Sequence, residues 1–187
     1  MPRKVGVATE GPASKAVIEV LLERSGHVPK VRIAEGKGKL FQIFDKLLKE
    51  LDLRYRPACF LVVPDLQPEE DCRADVAEWK REIRVRFPRA RLCTAIWETE
   101  AWLLADASAV ERVSGMPIAV SEPDRVGGDK PSEILERHFR QARGYGRGPA
   151  FDKRTDGAAI AQRMDLGAAS TRSPSFGRFM RKAATDH

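Results

Sequence analysis

The chain has 187 residues, 42% of them hydrophobic and 32% charged, which fits one globular domain with a sizeable core and excludes a chain disordered throughout. No apolar run approaches the roughly 18–20 residues of a transmembrane helix, and Met1-Pro2-Arg3-Lys4 leads into too short an apolar stretch for a signal peptide, so a cytoplasmic protein with no membrane contact is expected. The net charge of +6 is carried by the last third, because residues 125–187 hold 13 Lys/Arg against 7 Asp/Glu and the 20 of each that remain lie before them; this asymmetry favours an anionic partner.

Lys4–Ala8 reads as a strand, Thr9-Glu10-Gly11-Pro12 as a turn, and Val17, Val20, Leu21 and Arg24 recur at helical spacing behind Pro12, a residue suited to a first helical position. Val28–Ala34 predicts a second strand, broken by Gly36-Lys37-Gly38-Lys39. Leu40, Phe44, Leu47, Leu48 and Leu51 then form one helical stripe. Cys59–Val63 is a continuous apolar run of the kind found in a central parallel strand, and it ends at Pro64-Asp65. Cys72, Val76, Trp79, Ile83 and Phe87 share a helical face within residues 69–87, and Arg91–Ile96 is a further strand. Residues 101–106 read as helical, 117–129 as a loop or short hairpin, 132–143 as a helix and 144–149 as a connector. Two more helices are expected over 156–164 and 173–184. The alternation of strands and helices predicts an α/β fold with a parallel sheet, residues 1–115 forming the core and 116–187 a loop and helical extension packed on the same domain.

In such a sheet, sites form beyond the carboxyl ends of the strands. Glu10, Asp65, Glu98 and Glu100 fall there. Carboxylates are the ligands that Mg²⁺ and Mn²⁺ prefer, and a metal so held can activate water against a phosphodiester. Each acid could equally cap a helix N-terminus. Glu98 and Glu100 stand two apart, so on one helix they diverge, and Glu100, anchored by Ala101-Trp102-Leu103-Leu104, is preferred as the ligand, with Glu98 behind it. Cys59, Cys72 and Cys93 contain no CxxC pair and His27, His138 and His187 lie far apart, which offers neither a disulfide framework nor a zinc site.

Lys37 and Lys39 open a helix behind two glycines, a phosphate cradle or a plain surface turn; the spacing is not that of a P-loop. Arg137, Arg140, Arg143, Arg147, Lys153 and Arg154 are interleaved with His138, Phe139 and Tyr145, a mixture suited to phosphate contact and base stacking, or to a solvated helix face. Trp79, Trp97 and Trp102 have apolar neighbours and read as core.

Glu10-Gly11-Pro12, Pro64-Asp65-Leu66, the run Glu100 to Asp106, Asp129-Lys130-Pro131, Asp156-Gly157 and Ser173-Pro174-Ser175-Phe176 together resemble a bacterial family catalogued as domain of unknown function 4276. That family is regarded as similar to Toprim domains, the metal-binding modules of topoisomerases, primases and certain nucleases. The resemblance implies a Toprim-like core with an acid after the first strand, matched by Glu10, and an Asp-x-Asp pair after the third, of which Asp65 is the first member and Gln67 replaces the second. Glu69, Glu70 or Asp71 could stand in for it. The resemblance also suggests an ATPase partner and a role in phage defence. The expectation is a Mg²⁺- or Mn²⁺-dependent nuclease or phosphodiester hydrolase, with Glu10, Asp65 and Glu100 at the metal. Glu10, Asp65 and Lys130 are the catalytic candidates, and Lys37, Lys39, Arg140, Arg143 and Lys153 the phosphate-binding ones. The alternative is a non-catalytic subunit with a degraded metal site that binds nucleic acid or docks on an ATPase.

Overall fold

The computed structural model describes residues 2–66, 72–125, 129–144 and 150–185; Gln67, Glu69, Glu70, Asp71, Tyr145, Arg147 and His187 lie outside them. Strands β1 (Arg3–Thr9), β2 (His27–Ile33), β3 (Cys59–Val63) and β5 (Ala90–Leu92) form one sheet in the order β2-β1-β3-β5, every neighbouring pair parallel. Helix α1 (Pro12–Arg24) connects β1 to β2, α2 (Lys37–Tyr55) connects β2 to β3, and α3 (Cys72–Arg86) leads from β3 towards β5. The chain therefore runs outward from β1 to β2, then reverses across β1 to reach β3. Right-handed crossovers in opposite directions place helices on opposite faces. The core divides accordingly. Val5, Val7, Cys59, Leu61 and Val63 point to the α1 face, while Ala8, Phe60 and Val62 meet Leu40, Phe44 and Leu48 of α2 and Trp79 and Ile83 of α3.

The strand expected over 91–96 is two pieces. Ala90–Leu92 completes the main sheet, and β6 (Ala95–Ile96) pairs in parallel with β4 (Asp65–Leu66). The register is continuous across the break, with Val62 opposite Leu92 and Asp65 opposite Ala95. Pro64 sits in the gap and has no N–H to give the ladder, although its carbonyl still accepts from the Ala95 N–H at 3.1 Å. The strand pair thus carries two residues past Pro64, and Asp65 stands on this projecting lip.

Beyond β6 the chain is helical: α4 (Glu100–Leu104), α5 (Ala107–Ser114), a 3-10 turn at Pro123–Arg125, α6 (Pro131–Arg143), α7 (Thr155–Ala161), α8 (Leu166–Arg172) and α9 (Pro174–Ala184). Helices α5 and α8 are additions to the sequence expectation. Asp106 caps α5 by accepting from the Ala109 N–H at 3.0 Å and Asp165 caps α8 through the Gly167 and Ala168 N–H groups. Phe139, Phe151, Ile160, Phe176 and Phe179 enter the same core cluster as Val5 and Val7, so the helices after residue 116 close over the α1 face. No described helix is long and apolar enough to cross a membrane.

Several motifs prove to be joints of this packing. Trp102 stacks on Phe179 with ring centroids 4.8 Å apart and donates its indole N–H to Ser175 Oγ at 2.8 Å. Ser173 and Ser175 both donate to Asp124 Oδ1, at 2.7 and 2.9 Å, fixing the 3-10 turn onto α9. Gly157 lets α7 approach α1, since a Cβ there would lie 3.2 Å from Val17 Cγ2.

Candidate active site at the sheet switch point

The direction of the sheet reverses between β1 and β3, and ligands of open α/β sheets bind in the crevice where such a reversal leaves two strand ends uncovered by a shared crossover. Glu10 follows β1 and Asp65 follows β3. The Asp65 N–H donates to Glu10 Oε1 at 2.8 Å, locking the two acids into one unit. The loop after β2 closes on them, because the Gly36 N–H donates to the Glu10 carbonyl at 3.0 Å. Gly36 does so at φ 120°, a conformation glycine adopts without penalty.

Glu98 and Glu100 both turn inward. Lys153 Nζ lies 3.2 Å from Glu100 Oε1 and 3.6 Å from Glu98 Oε1. The two glutamates do not diverge as expected, because Glu98 precedes α4 and does not follow its 3.6-residue period. Glu98 also accepts from the Ser132 N–H at 3.2 Å, capping α6, so it has a structural and a site-facing role at once. Glu100 is buried at the start of α4, with Thr99 Oγ1 3.3 Å from its Oε2 and the same hydroxyl 3.3 Å from Ser14 Oγ.

Two adjoining cavities flank the acids. The first, of about 340 Å³, is walled by Glu10, Ser14, Asp65, Glu98, Glu100 and Lys153 among others. The second, of about 290 Å³, is walled by Glu10, Lys37, Asp65, Trp97, Glu98 and Lys130. Glu10, Asp65 and Glu98 belong to both; the first adds Lys153 and the second Lys37 and Lys130.

Asp65 keeps some exposure as a residue, but its Oδ1 is shut off from solvent and has no hydrogen-bond partner. Burial, then the charges of Glu10, Glu100 and Glu98, push its carboxyl well above the usual range. Burial also raises Glu10, against the opposing pull of the Asp65 N–H and Lys37. Glu100 is raised by burial in the same way, against Lys153. Burial works against the Lys153 ammonium, but Glu100 and Glu98 outweigh it and hold its pKa up.

The residues fit a hard divalent cation in charge and donor type: oxygens only, an excess of carboxylates and one orphaned Oδ1. Among the described residues no three His, Cys, Asp or Glu side chains converge on one point. Mg²⁺ asks few protein ligands, since that ion completes its shell with water and substrate phosphate.

The predicted bases separate. Lys130 and Lys153 reach the site, and Lys37 reaches it while paired with Asp75 at 2.8 Å. Lys39 binds Glu35 at 3.0 Å on the surface. Arg140 pairs with Glu136, and Arg143 holds the buried Asp156 through two bonds of 2.9 and 2.7 Å while stacking over Phe139. Neither arginine is among the residues lining the two cavities.

Trp97 was expected in the core and is not there. It is half-buried on the wall of the second cavity with φ 66°, and its indole N–H is enclosed without an acceptor. A bulky residue in that backbone region and an unpaired buried donor each cost about 1–3 kcal/mol. Glu10-Gly11-Pro12 could have indicated Ser14 at the first turn of α1, but nothing local announces Trp97, whose backbone is set by the Trp97 N–H bond to the Leu66 carbonyl at 2.7 Å.

No curated protein and no solved structure matches this chain. One family model does, over residues 8–183 of 187, a span that takes in the carboxyl end of every strand and every acid described above. The chain belongs to the family described as Domain of unknown function (DUF4276).

Proposed function

We propose that this chain is a divalent-metal-dependent phosphodiester hydrolase of Toprim-like type that cuts nucleic acid. The observation that carries this reading is the Asp65 Oδ1, a carboxylate oxygen enclosed without a partner at the sheet switch point and crowded by Glu10, Glu98 and Glu100. Such an arrangement costs stability, and strain of this kind collects at functional sites. Mg²⁺ or Mn²⁺ would be held by Asp65 and Glu10 with Glu100 or Glu98 beside them, and when bound it supplies charge neutralisation and activation of water. Glu10, fixed through its Oε1 by the Asp65 N–H and raised in pKa by burial, serves either as a ligand of that ion or as the base that takes a proton from water. Lys153 in the first cavity and Lys130 in the second offer ammonium charge to the phosphate oxygens.

The test is cleavage of labelled single-stranded and duplex DNA and RNA in EDTA, Mg²⁺ or Mn²⁺, with Asp65→Ala and Glu10→Gln beside the parent. Metal-dependent cleavage lost in both variants supports the proposal. Cleavage that survives either substitution, or that ignores EDTA, removes it.

Lys153 favours a second reading. Its bonds to Glu98 and Glu100 give the acids an internal cation. A non-catalytic subunit that binds nucleic acid or docks on an ATPase needs nothing more. Binding that falls steeply with salt yet is the same in Mg²⁺ and EDTA, with no cleavage, is the result that reading expects.

A further inference from the structure

We infer that Trp97 is the base-stacking residue of this site and that the polynucleotide it takes is single-stranded; this rests on the phosphodiester reading above. Three independent features meet at this side chain. It stands in a left-handed backbone conformation, its indole N–H lacks an acceptor, and it lines a cavity instead of the core. Trp79 and Trp102 are 2% and 0% exposed, so packing fully accounts for them and leaves Trp97 unexplained by it. The other walls of the cavity supply what a strand needs beside a stacked base. Glu10 and Asp65 are the reaction centre, and Lys37 and Lys130 are ammonium groups for the neighbouring phosphates. Lys37 is half-exposed in its pair with Asp75, so that pair is weak enough to share the ammonium with a phosphate.

Lys37 also forms the wall of a third cavity, of about 400 Å³, where Phe41 lies edge-on to Trp79 with centroids 4.8 Å apart. Lys130, Trp97 and Lys37 line one cavity, and Lys37 and Phe41 line the next, so cations and aromatic rings share these walls as phosphates and bases share a single strand. A duplex keeps its bases stacked on each other and has no free ring face to offer Trp97.

The test uses the full chain in EDTA, with labelled oligothymidylate, labelled oligouridylate and a blunt DNA duplex as probes. Binding is read by anisotropy and by tryptophan emission. Trp97→Phe keeps an aromatic ring. Trp97→Gly removes the ring where φ 66° suits glycine, so folding is not put at risk. Single strands should quench the parent's emission; Trp97→Gly should weaken their binding about tenfold or more, and Trp97→Phe by about threefold at most. Duplex binding should be unchanged in both variants. Single-strand binding unaltered in Trp97→Gly, or a parent that prefers duplex, overturns the inference. Metal-dependent cleavage is scored separately: a parent that binds single strands through Trp97 but never cuts keeps this inference and loses the hydrolase reading, and a parent that cuts while ignoring Trp97 does the reverse.

Discussion

Replacing Asp65 with asparagine should stabilise the metal-free protein at pH 7. The change keeps the shape of the side chain, including the backbone N–H bond to Glu10, and removes one negative charge from a group of four carboxylates opposed within the cluster by Lys153. Relieving a strained functional position of this kind is worth about 0.5–2 kcal/mol, a rise of a few degrees in Tm for a chain of this length. The sign follows from linkage. Burial and the charges of Glu10, Glu100 and Glu98 raise the folded pKa of Asp65 above its unfolded value. The folded state therefore holds that proton more tightly, and no penalty exists below the unfolded pKa of about 4. The penalty grows as pH rises through the interval between the two values and is complete above the folded one. The stabilisation by Asp65→Asn should vanish near pH 4 and grow as pH rises, until the folded pKa is passed. Mg²⁺ should act oppositely on the two proteins. At ten times its Kd it adds about 1.4 kcal/mol to the parent, with little effect on the variant. Thermal unfolding over a pH series, with and without Mg²⁺, measures both effects. A variant destabilised equally at every pH, or one that keeps the full Mg²⁺ shift, would refute the reasoning.

Other expectations test the division between site and scaffold. Arg143→Ala should lower stability by about 2–3 kcal/mol in denaturant titration, because it strips the buried Asp156 of two charge-assisted bonds, while leaving oligonucleotide affinity per folded molecule unchanged. Lys130→Ala, at an exposed position on the cavity rim, should leave stability within about 0.5 kcal/mol and reduce the salt slope of nucleic-acid binding by about one. Ser175→Ala should cost about 1–3 kcal/mol, since the buried Trp102 N–H loses its acceptor and Asp124 a donor; calorimetry reads it directly. Gly177→Ala places a Cβ 2.7 Å from the Ser170 carbonyl oxygen. It should therefore force α8 and α9 apart at about 1–3 kcal/mol, visible as a lower denaturation midpoint.

What the sequence determined by itself was local and periodic. The apolar runs at Val5 and at Cys59–Val63, the helical stripe from Leu40 to Leu51 and the face from Val76 to Ile83 specify elements whose burial does not depend on distant partners, and each occupies its expected place in the sheet or its two helical layers. The acids at the strand ends were legible for the same reason, since strand polarity alone puts Glu10 and Asp65 on one edge. Short helices were harder: α5 and α8 carry too few turns for periodicity, although the Asp106 cap and Gly115 at φ 80° bracket α5. The rest was decided only by the tertiary structure. A hydrogen-bond ladder chose to continue past Pro64, which moved Asp65 from a loop to a lip and set the backbone of Trp97. An entry to α4 that is not yet helical turned Glu98 towards Lys153. Arg143 was claimed by Asp156, thirteen residues on in the sequence and adjacent only once α6 and α7 are packed. Charge and polarity mark which residues need partners, but the partner is chosen by which strands and helices come to lie side by side.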